Sequence, residues 1–210
     1  MIAVRLSVPI ACWRKAHARE LLETESVPPP ATCYGALLSL VGEVDRERHR
    51  GCRVTGGIIG RPETSVVLRT LWRIKDGKAP QGSGDNTKPD FQQLLTGCDV
   101  VIWCDSSAEG DAGLEARVAR AIEDPSQVDR FGGWSLGEST HLINDAYLIR
   151  DAIAPPGTRV FLIEPEGMLT LPVWVDHVGM AATRYAVGRL QEIQGAPPLE
   201  RVPQIPHSAA

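Results

Sequence analysis

Phe131-Gly132-Gly133-Trp134-Ser135-Leu136-Gly137-Glu138-Ser139-Thr140-His141 packs three glycines, two serines, a threonine and a histidine into one loop, and its reading decides the fold. Gly133-Trp134-Ser135-Leu136-Gly137 matches the G-x-S-x-G nucleophile elbow. That motif needs a buried strand entering the serine and a helix leaving it. Here the context is reversed: a helical pattern from Leu114 to Glu123 precedes the loop, and a strand-like run from Leu142 to Ile149 follows. Asp176-His177 downstream could be drafted as partners of Ser135, but a triad Asp and His adjacent in sequence would rarely aim at each other. Serine hydrolysis therefore stays a lesser alternative. Gly-Lys-Ser/Thr is missing, so the loop is no phosphate-binding P-loop. The remaining reading is a turn of close backbone approach, whose bare N–H groups suit an anion or a neighbouring chain.

Working outward, the segments on either side alternate in a consistent order. Ile2, Val4, Leu6 and Val8 alternate with Ala3, Arg5 and Ser7, as a half-buried strand does, and Pro9 should end it. Val27-Pro28-Pro29-Pro30 forbids helix up to that point. Thr32 is then a plausible N-cap, with Tyr34, Leu37, Leu38 and Val41 on one helical face and a stop near Gly42. Arg46 to Arg53 reads as a charged loop with His49 exposed to solvent. Arg53 to Ile59 is a strand whose Gly56-Gly57 marks a bulge or a close approach. Val66, Leu68, Thr70, Trp72 and Ile74 form an apolar face opposite Arg69, Arg73 and Lys75. Asp76 to Pro89 is polar, Gly- and Pro-rich and aperiodic, as expected of a projecting hairpin tip. Cys98 to Cys104 is a fully buried strand, and Leu114, Val118, Ala121 and Ile122 mark a second amphipathic helix stopped near Pro125.

The expected fold is thus α+β: an RRM-like or ferredoxin-like β-α-β-β-α-β core over residues 1–150, with a hairpin inserted at about 75–97. Arg159 to Ile163 and Met168 to Val175 are further strand candidates. They suggest an accessory hairpin or small sheet over 151–194, with a short helix from Thr183 to Ile193. The proline-rich tail 195–210 is expected to be disordered.

Composition narrows the function. The 210 residues carry a net charge of −4, which argues against a wholesale polyanion binder, and no apolar run approaches the length of a membrane-spanning helix. The first residues do not resemble a signal peptide, so a cytoplasmic location is expected. Charge is unevenly spread: residues 1–75 hold 12 Lys or Arg against 7 Asp or Glu, and residues 76–210 hold 10 against 19. Nucleic-acid contact therefore fits the N-terminal half and protein contact the rest. Five scattered cysteines without C-x-x-C spacing point to buried free thiols rather than zinc or disulfides, and neither metal nor cofactor is expected. Trp13-Arg14-Lys15 with His17 and Arg19 interleaves an aromatic with cations, which suits single-stranded nucleic acid or, equally, a solvated loop with one anchored tryptophan. Arg69, Arg73, Lys75, Lys78 and Lys88 extend the basic candidates along the strand and hairpin. Metal-independent RNA cleavage would need a general acid and base, for which His17, His141, Tyr34 and Lys15 are the available groups.

Four segments together resemble the fifth CRISPR-associated (Cas) protein family, a RAMP-superfamily subunit of type I Cascade complexes, and most closely its DevS or myxan-type branch. They are the opening strand with Cys12-Trp13-Arg14; Val27-Pro28-Pro29-Pro30-Ala31-Thr32-Cys33-Tyr34-Gly35-Ala36-Leu37-Leu38; Val67-Leu68-Arg69-Thr70-Leu71-Trp72-Arg73-Ile74-Lys75; and Phe131 to Thr140. The resemblance implies an RRM-like core with a β-hairpin thumb, a glycine-rich loop and a C-terminal accessory sheet. It implies a non-catalytic subunit that caps the crRNA 5′ handle and docks the Cas-seven-type backbone subunit and the large PAM-reading subunit, near target DNA at the PAM. By position, Trp13, Arg14, Lys15, His17, Arg19, Arg69, Arg73, Lys75, Lys78 and Lys88 would contact RNA. Gly132, Gly133, Trp134, Ser135, Gly137, Ser139 and His141 would form the glycine loop. Processing of pre-crRNA by a metal-independent endoribonuclease is the alternative activity within the same family.

Overall fold

A computed structural model describes residues 1–18, 20–72, 77–78, 80, 86–109 and 113–207. Its strands are β1 (Ile2–Ala11), β2 (Leu21–Leu22), β3 (Arg53–Ile59), β4 (Glu63–Trp72), β5 (Thr87–Asp105), β6 (Asp145–Ile149), β7 (Thr158–Ile163), β8 (Leu169–Trp174) and β9 (Arg184–Glu192). The α-helices among the described residues are α1 (Pro30–Leu40) and α2 (Leu114–Glu123). The architecture is mixed α+β, dominated by one large sheet. Its strand order is β6-β1-β5-β3-β7-β9-β8, with β2 and β4 both pairing to β5. Every neighbouring pair is antiparallel except β2 with β5. α1 follows β1 and β2 in the chain, and α2 lies between β5 and β6.

β5 holds this arrangement together. Its apolar end, Cys98 to Asp105, pairs with β1 on one side (Ile2↔Cys104) and β3 on the other (Arg53↔Asp105). Buried on both faces, it reads as the continuous hydrophobic run that such a strand requires. Its polar end carries the hairpin partner β4, from Glu63↔Thr96 to Trp72↔Thr87. The hairpin therefore grows directly out of the central strand. The expected stop at Pro9 does not occur: β1 runs on to Ala11, with Val8↔Cys98 and Ile10↔Thr96 in register on either side of the proline.

One face of the sheet carries the main core. Val4, Leu6, Val8, Val100 and Ile102 pack there against Leu37, Leu40, Leu114 and Val118 of the helices. On the opposite face Ala3, Val101, Trp103, Val160 and Leu162 pack under Ala152 and Ala154, and the Trp103 indole donates to the Ala152 carbonyl at 2.9 Å. α1 begins at Pro30 rather than at a Thr32 cap, because proline at the first helical position has no N–H to lose. Its close seat on β3 depends on Gly56, where a Cβ would lie 2.7 Å from the Pro28 carbonyl and 2.9 Å from Cys33 Sγ. All five cysteines are free and buried.

Four further expectations are corrected. Thr183 to Ile193 is not a helix: Arg184–Glu192 is strand β9, with Ala186 and Leu190 facing inward in period two and pairing to β7 and β8. The C-terminal strands form no separate sheet, because β7 pairs with the edge of β3 and continues the main one. The tail is ordered through residue 207. Val202 and Ile205 are fully buried, and Ile205 exchanges backbone hydrogen bonds with Gly51 and Cys52 at 2.9 and 2.8 Å. His49 is likewise buried rather than exposed. Its Nδ1 lies 2.7 Å from Glu109 and its Nε2 2.7 Å from Arg117, which also holds Glu43 at 2.5 Å. That guanidinium brings the Glu43 carboxyl down to about 2. No helix among the described residues is long and apolar enough to cross a membrane.

Candidate nucleic-acid interface

The glycine loop is a closed turn pinned at both ends. Trp134 and Ile143 are joined by a 2.9 Å backbone bond, and the His141 amide reaches the Glu138 carbonyl at 2.9 Å. Leu136 drops into the core with no exposure, while Trp134 donates across to the Ala36 carbonyl of α1 at 2.9 Å. The turn sits directly on the end of β1. Cys12 N–H donates to His141 Nδ1 at 3.2 Å, and the Trp13 indole donates to the Leu136 carbonyl at 3.3 Å. Gly137 makes that approach possible: at φ +111° its backbone suits glycine, and a Cβ would lie 2.9 Å from the Cys12 carbonyl.

This geometry changes two of the expected roles. Trp13 is only 2% exposed, so its ring packs in the core and offers no face to a base. His141 is buried as well, and burial pushes its pKa below the ordinary histidine value. Its ring is a neutral acceptor that ties the loop down. Ser135 forms an isolated bridge to Leu142, with neither a strand entering nor a helix leaving. The Asp176 carboxylate accepts from the amides of Val178, Gly179 and Ala182 and makes no hydrogen bond to His177 among the described residues. Gly132, Gly133 and Ser139 lie on the exposed outer rim of the loop.

The basic candidates separate into groups. Arg14, Lys15 and His17 stand on the loop after β1. Its start is braced: Arg14 bridges to Thr24, and Glu25 N–H donates to the Trp13 carbonyl at 2.7 Å. Arg14 and His17 are exposed, and Lys15 lies 3.5 Å from Glu23. Lys15 and His17 line a 210 Å³ cleft with Thr170 of β8 and Tyr185 of β9. Sequence reasoning missed Tyr185, because its segment was read as helix. Arg69 instead turns inward, donating at 2.6 Å to Glu138 of the glycine loop and also bonding Gln92; Gln92 reaches the other Glu138 oxygen at 2.6 Å. Nothing in the sequence pairs these three residues. The opposite, apolar face of the same hairpin is open: Val66, Leu68 and Phe91 are all more than half exposed. Lys88 lies 3.1 Å from Asp90, Lys78 is exposed at a turn, and Arg19, Arg73 and Lys75 lie outside the described residues.

Another missed group sits on the open sheet face. Arg5 is ion-paired to Asp99 and stands 5.7 Å from the ring centroid of Tyr147, which is 45% exposed. The glycine loop, the loop after β1 and the base of the hairpin therefore meet at one end of β1. Arg14 and His17 face outward there, Lys15 pairs with Glu23, and Glu23 and Glu25 line the cleft beside Tyr185. Such a surface can hold a single-stranded polyanion through phosphates and stacked bases.

The chain is 62% identical over 208 residues to the CRISPR-associated protein Cas5 of Myxococcus xanthus (strain DK1622), covering 98% of this chain and 97% of that protein. Its fold is similar to a chain of a CRISPR RNA-guided surveillance complex, at a TM-score of 0.58 and 14% identity over 96% of this chain and 92% of the other. It is also similar to a crystal structure of a Cas protein, at a TM-score of 0.51 and 17% identity over 97% of each chain. No protein-family profile matches it.

Proposed function

The chain belongs to the CRISPR-associated Cas5 family, and from that premise we propose that it is the non-catalytic subunit of a type I Cascade that caps the crRNA 5′ handle. The observation that carries this reading is the braced loop after β1, which holds Arg14, Lys15 and His17 outward beside the Tyr185 cleft. The order β6-β1-β5-β3, with helices after the first and third strands of the core, supports an RRM-like core whose β4–β5 hairpin is the thumb. The exposed Val66, Leu68 and Phe91 on that hairpin, and the acidic C-terminal part of the chain, suit contact with the backbone and large PAM-reading subunits, near the PAM end of target DNA. Sequence discrimination then rests on guide pairing and on PAM contacts made by another subunit.

The test is equilibrium binding of handle RNA and scrambled RNA to the chain with its partner subunits, across a salt series. Arg14→Ala and Lys15→Ala are each expected to weaken binding several-fold and to lower the salt slope by about one per lost phosphate contact. Arg69→Ala is expected to cost less, because Glu138 already neutralises that guanidinium. Equal affinity for both RNAs sinks the proposal.

His17, Lys15 and Tyr185 in one cleft are also groups that could move protons, which is the specific observation favouring an endoribonuclease. On the binding reading, metal-free incubation leaves repeat RNA intact. Discrete cleavage that His17→Ala abolishes would establish processing instead.

A further inference from the structure

A second cleft, of about 380 Å³, lies between α1, the glycine loop and β8. That volume falls within the range of about 300–1,000 Å³ seen for ligand pockets. Arg46 and His177 line the cleft together with Thr32, Ser39 and Ser135, and no carboxylate among the described residues does. Gly35 forms part of the floor, and open space lies where its Cβ would be.

Arg46 is held in place from three directions. The Tyr34 hydroxyl donates to its backbone carbonyl at 2.7 Å. Its guanidinium lies 3.8 Å over the Trp174 ring and donates to the Val175 carbonyl at 2.7 Å. Arg50 also packs over Trp174, at 4.0 Å, but Glu47 neutralises it at 2.5 Å. Arg46 makes no ion pair among the described residues. A planar guanidinium oriented before its ligand arrives loses little freedom on binding, and its remaining N–H groups form a fork suited to phosphate oxygens.

We infer that this cleft seats one phosphodiester of a bound RNA strand, with Arg46 as its anion-binding residue and the Thr32, Ser39 and Ser135 hydroxyls as further donors. The inference rests on the RNA-binding reading and adds a site to it: the strand continues past the glycine loop onto the surface between α1 and β8. A protein partner fits less well, because the cleft presents a fixed cation and hydroxyls without partners among the described residues.

Two variants test this in the full chain assembled with its partner subunits, using handle RNA as the probe. Arg46→Gln removes the charge. Gly35→Leu fills the cleft from an exposed helical position, where leucine favours helix and no atom lies within 4 Å of the added Cβ. Both are expected to weaken RNA binding about tenfold, and Arg46→Gln should lower the salt slope by about one. Gly35→Leu should unfold at the wild-type denaturant midpoint, which separates blocked binding from damaged folding. RNA affinity equal to wild type in both variants overturns the inference and leaves the RNA-binding reading intact. Unchanged RNA affinity with lost subunit assembly overturns it in favour of a protein contact. A wild-type chain that does not bind handle RNA removes both.

Discussion

His141 shows how one residue can look catalytic and act structurally. It lies in a glycine loop beside a glutamate, yet its Nδ1 accepts the Cys12 amide and its ring is shielded from water. Burial is the largest influence and lowers its pKa; the Glu138 carboxylate pulls upward and Arg69 downward. A histidine whose folded pKa lies below the unfolded one contributes full stability above the unfolded value, ordinarily 6.5, and that stability falls as pH drops through the folded value. Titration of the His141 ring by NMR should give a midpoint below 6.5, with protection of the Cys12 amide falling as the ring protonates. A midpoint at or above 6.5 would show that the ring does not hold the loop as a neutral acceptor. Arg69 makes the complementary point. Its sequence context suggests a phosphate ligand, but its hydrogen bonds to Glu138 and Gln92 make it the tie between hairpin and glycine loop.

At the scale of elements, pairing depends on close backbone approach at a few positions. The α1 entrance packs onto β3 because Gly56 has no side chain: Pro28 O, Pro28 Cγ and Cys33 Sγ already occupy that space. A carbonyl oxygen fixed in the turn before a helix cannot move aside as a flexible side chain can. Gly56→Ala is therefore expected to cost about 1–3 kcal/mol, read as a lower urea midpoint with an unchanged slope. A wild-type midpoint would mean that α1 slides on the sheet without penalty. The β4–β5 hairpin follows a different logic. One face is closed by the glycine loop through Arg69 and Gln92, whereas the Val66, Leu68 and Phe91 face stays open. Alternation alone would have buried that apolar face, because a strand's period shows two faces without showing which one meets the core.

At the scale of the whole molecule, the C-terminal third is part of the structural unit. β7 hydrogen-bonds to the edge of β3, β9 and β8 extend the sheet, and residues 202–205 return to cover Cys52 and Val54. Removing residues 195–210 would expose the sites of Val202 and Ile205, both fully buried, and break the backbone bonds to Gly51, Cys52 and Val54. Burial of two such side chains is worth about 3–6 kcal/mol, so the truncated chain should unfold at a markedly lower denaturant concentration. Loss of a disordered tail would leave the midpoint unchanged, and that result would contradict the packed arrangement.

Local chemistry alone determined several features of this protein. Period-two alternation in Ile2 to Val8, the uninterrupted apolar run from Cys98 to Cys104, the proline entry to α1 and the stop at Gly42 are each encoded within a few residues. These made the α+β class and most element positions legible, and the combined motifs made the Cas5 likeness legible too. Tertiary structure decided what the candidate residues do. Trp13 is buried because Leu136, 123 positions away, accepts its indole hydrogen, and Arg69 is neutralised by Glu138, 69 positions away. Residues 184–192 are a strand because β7 and β8 supply backbone partners on both sides. Periodicity reports that a side chain has an apolar face. Whether that face, or a charge, meets solvent or another segment depends on contacts distant in sequence, which no local pattern contains.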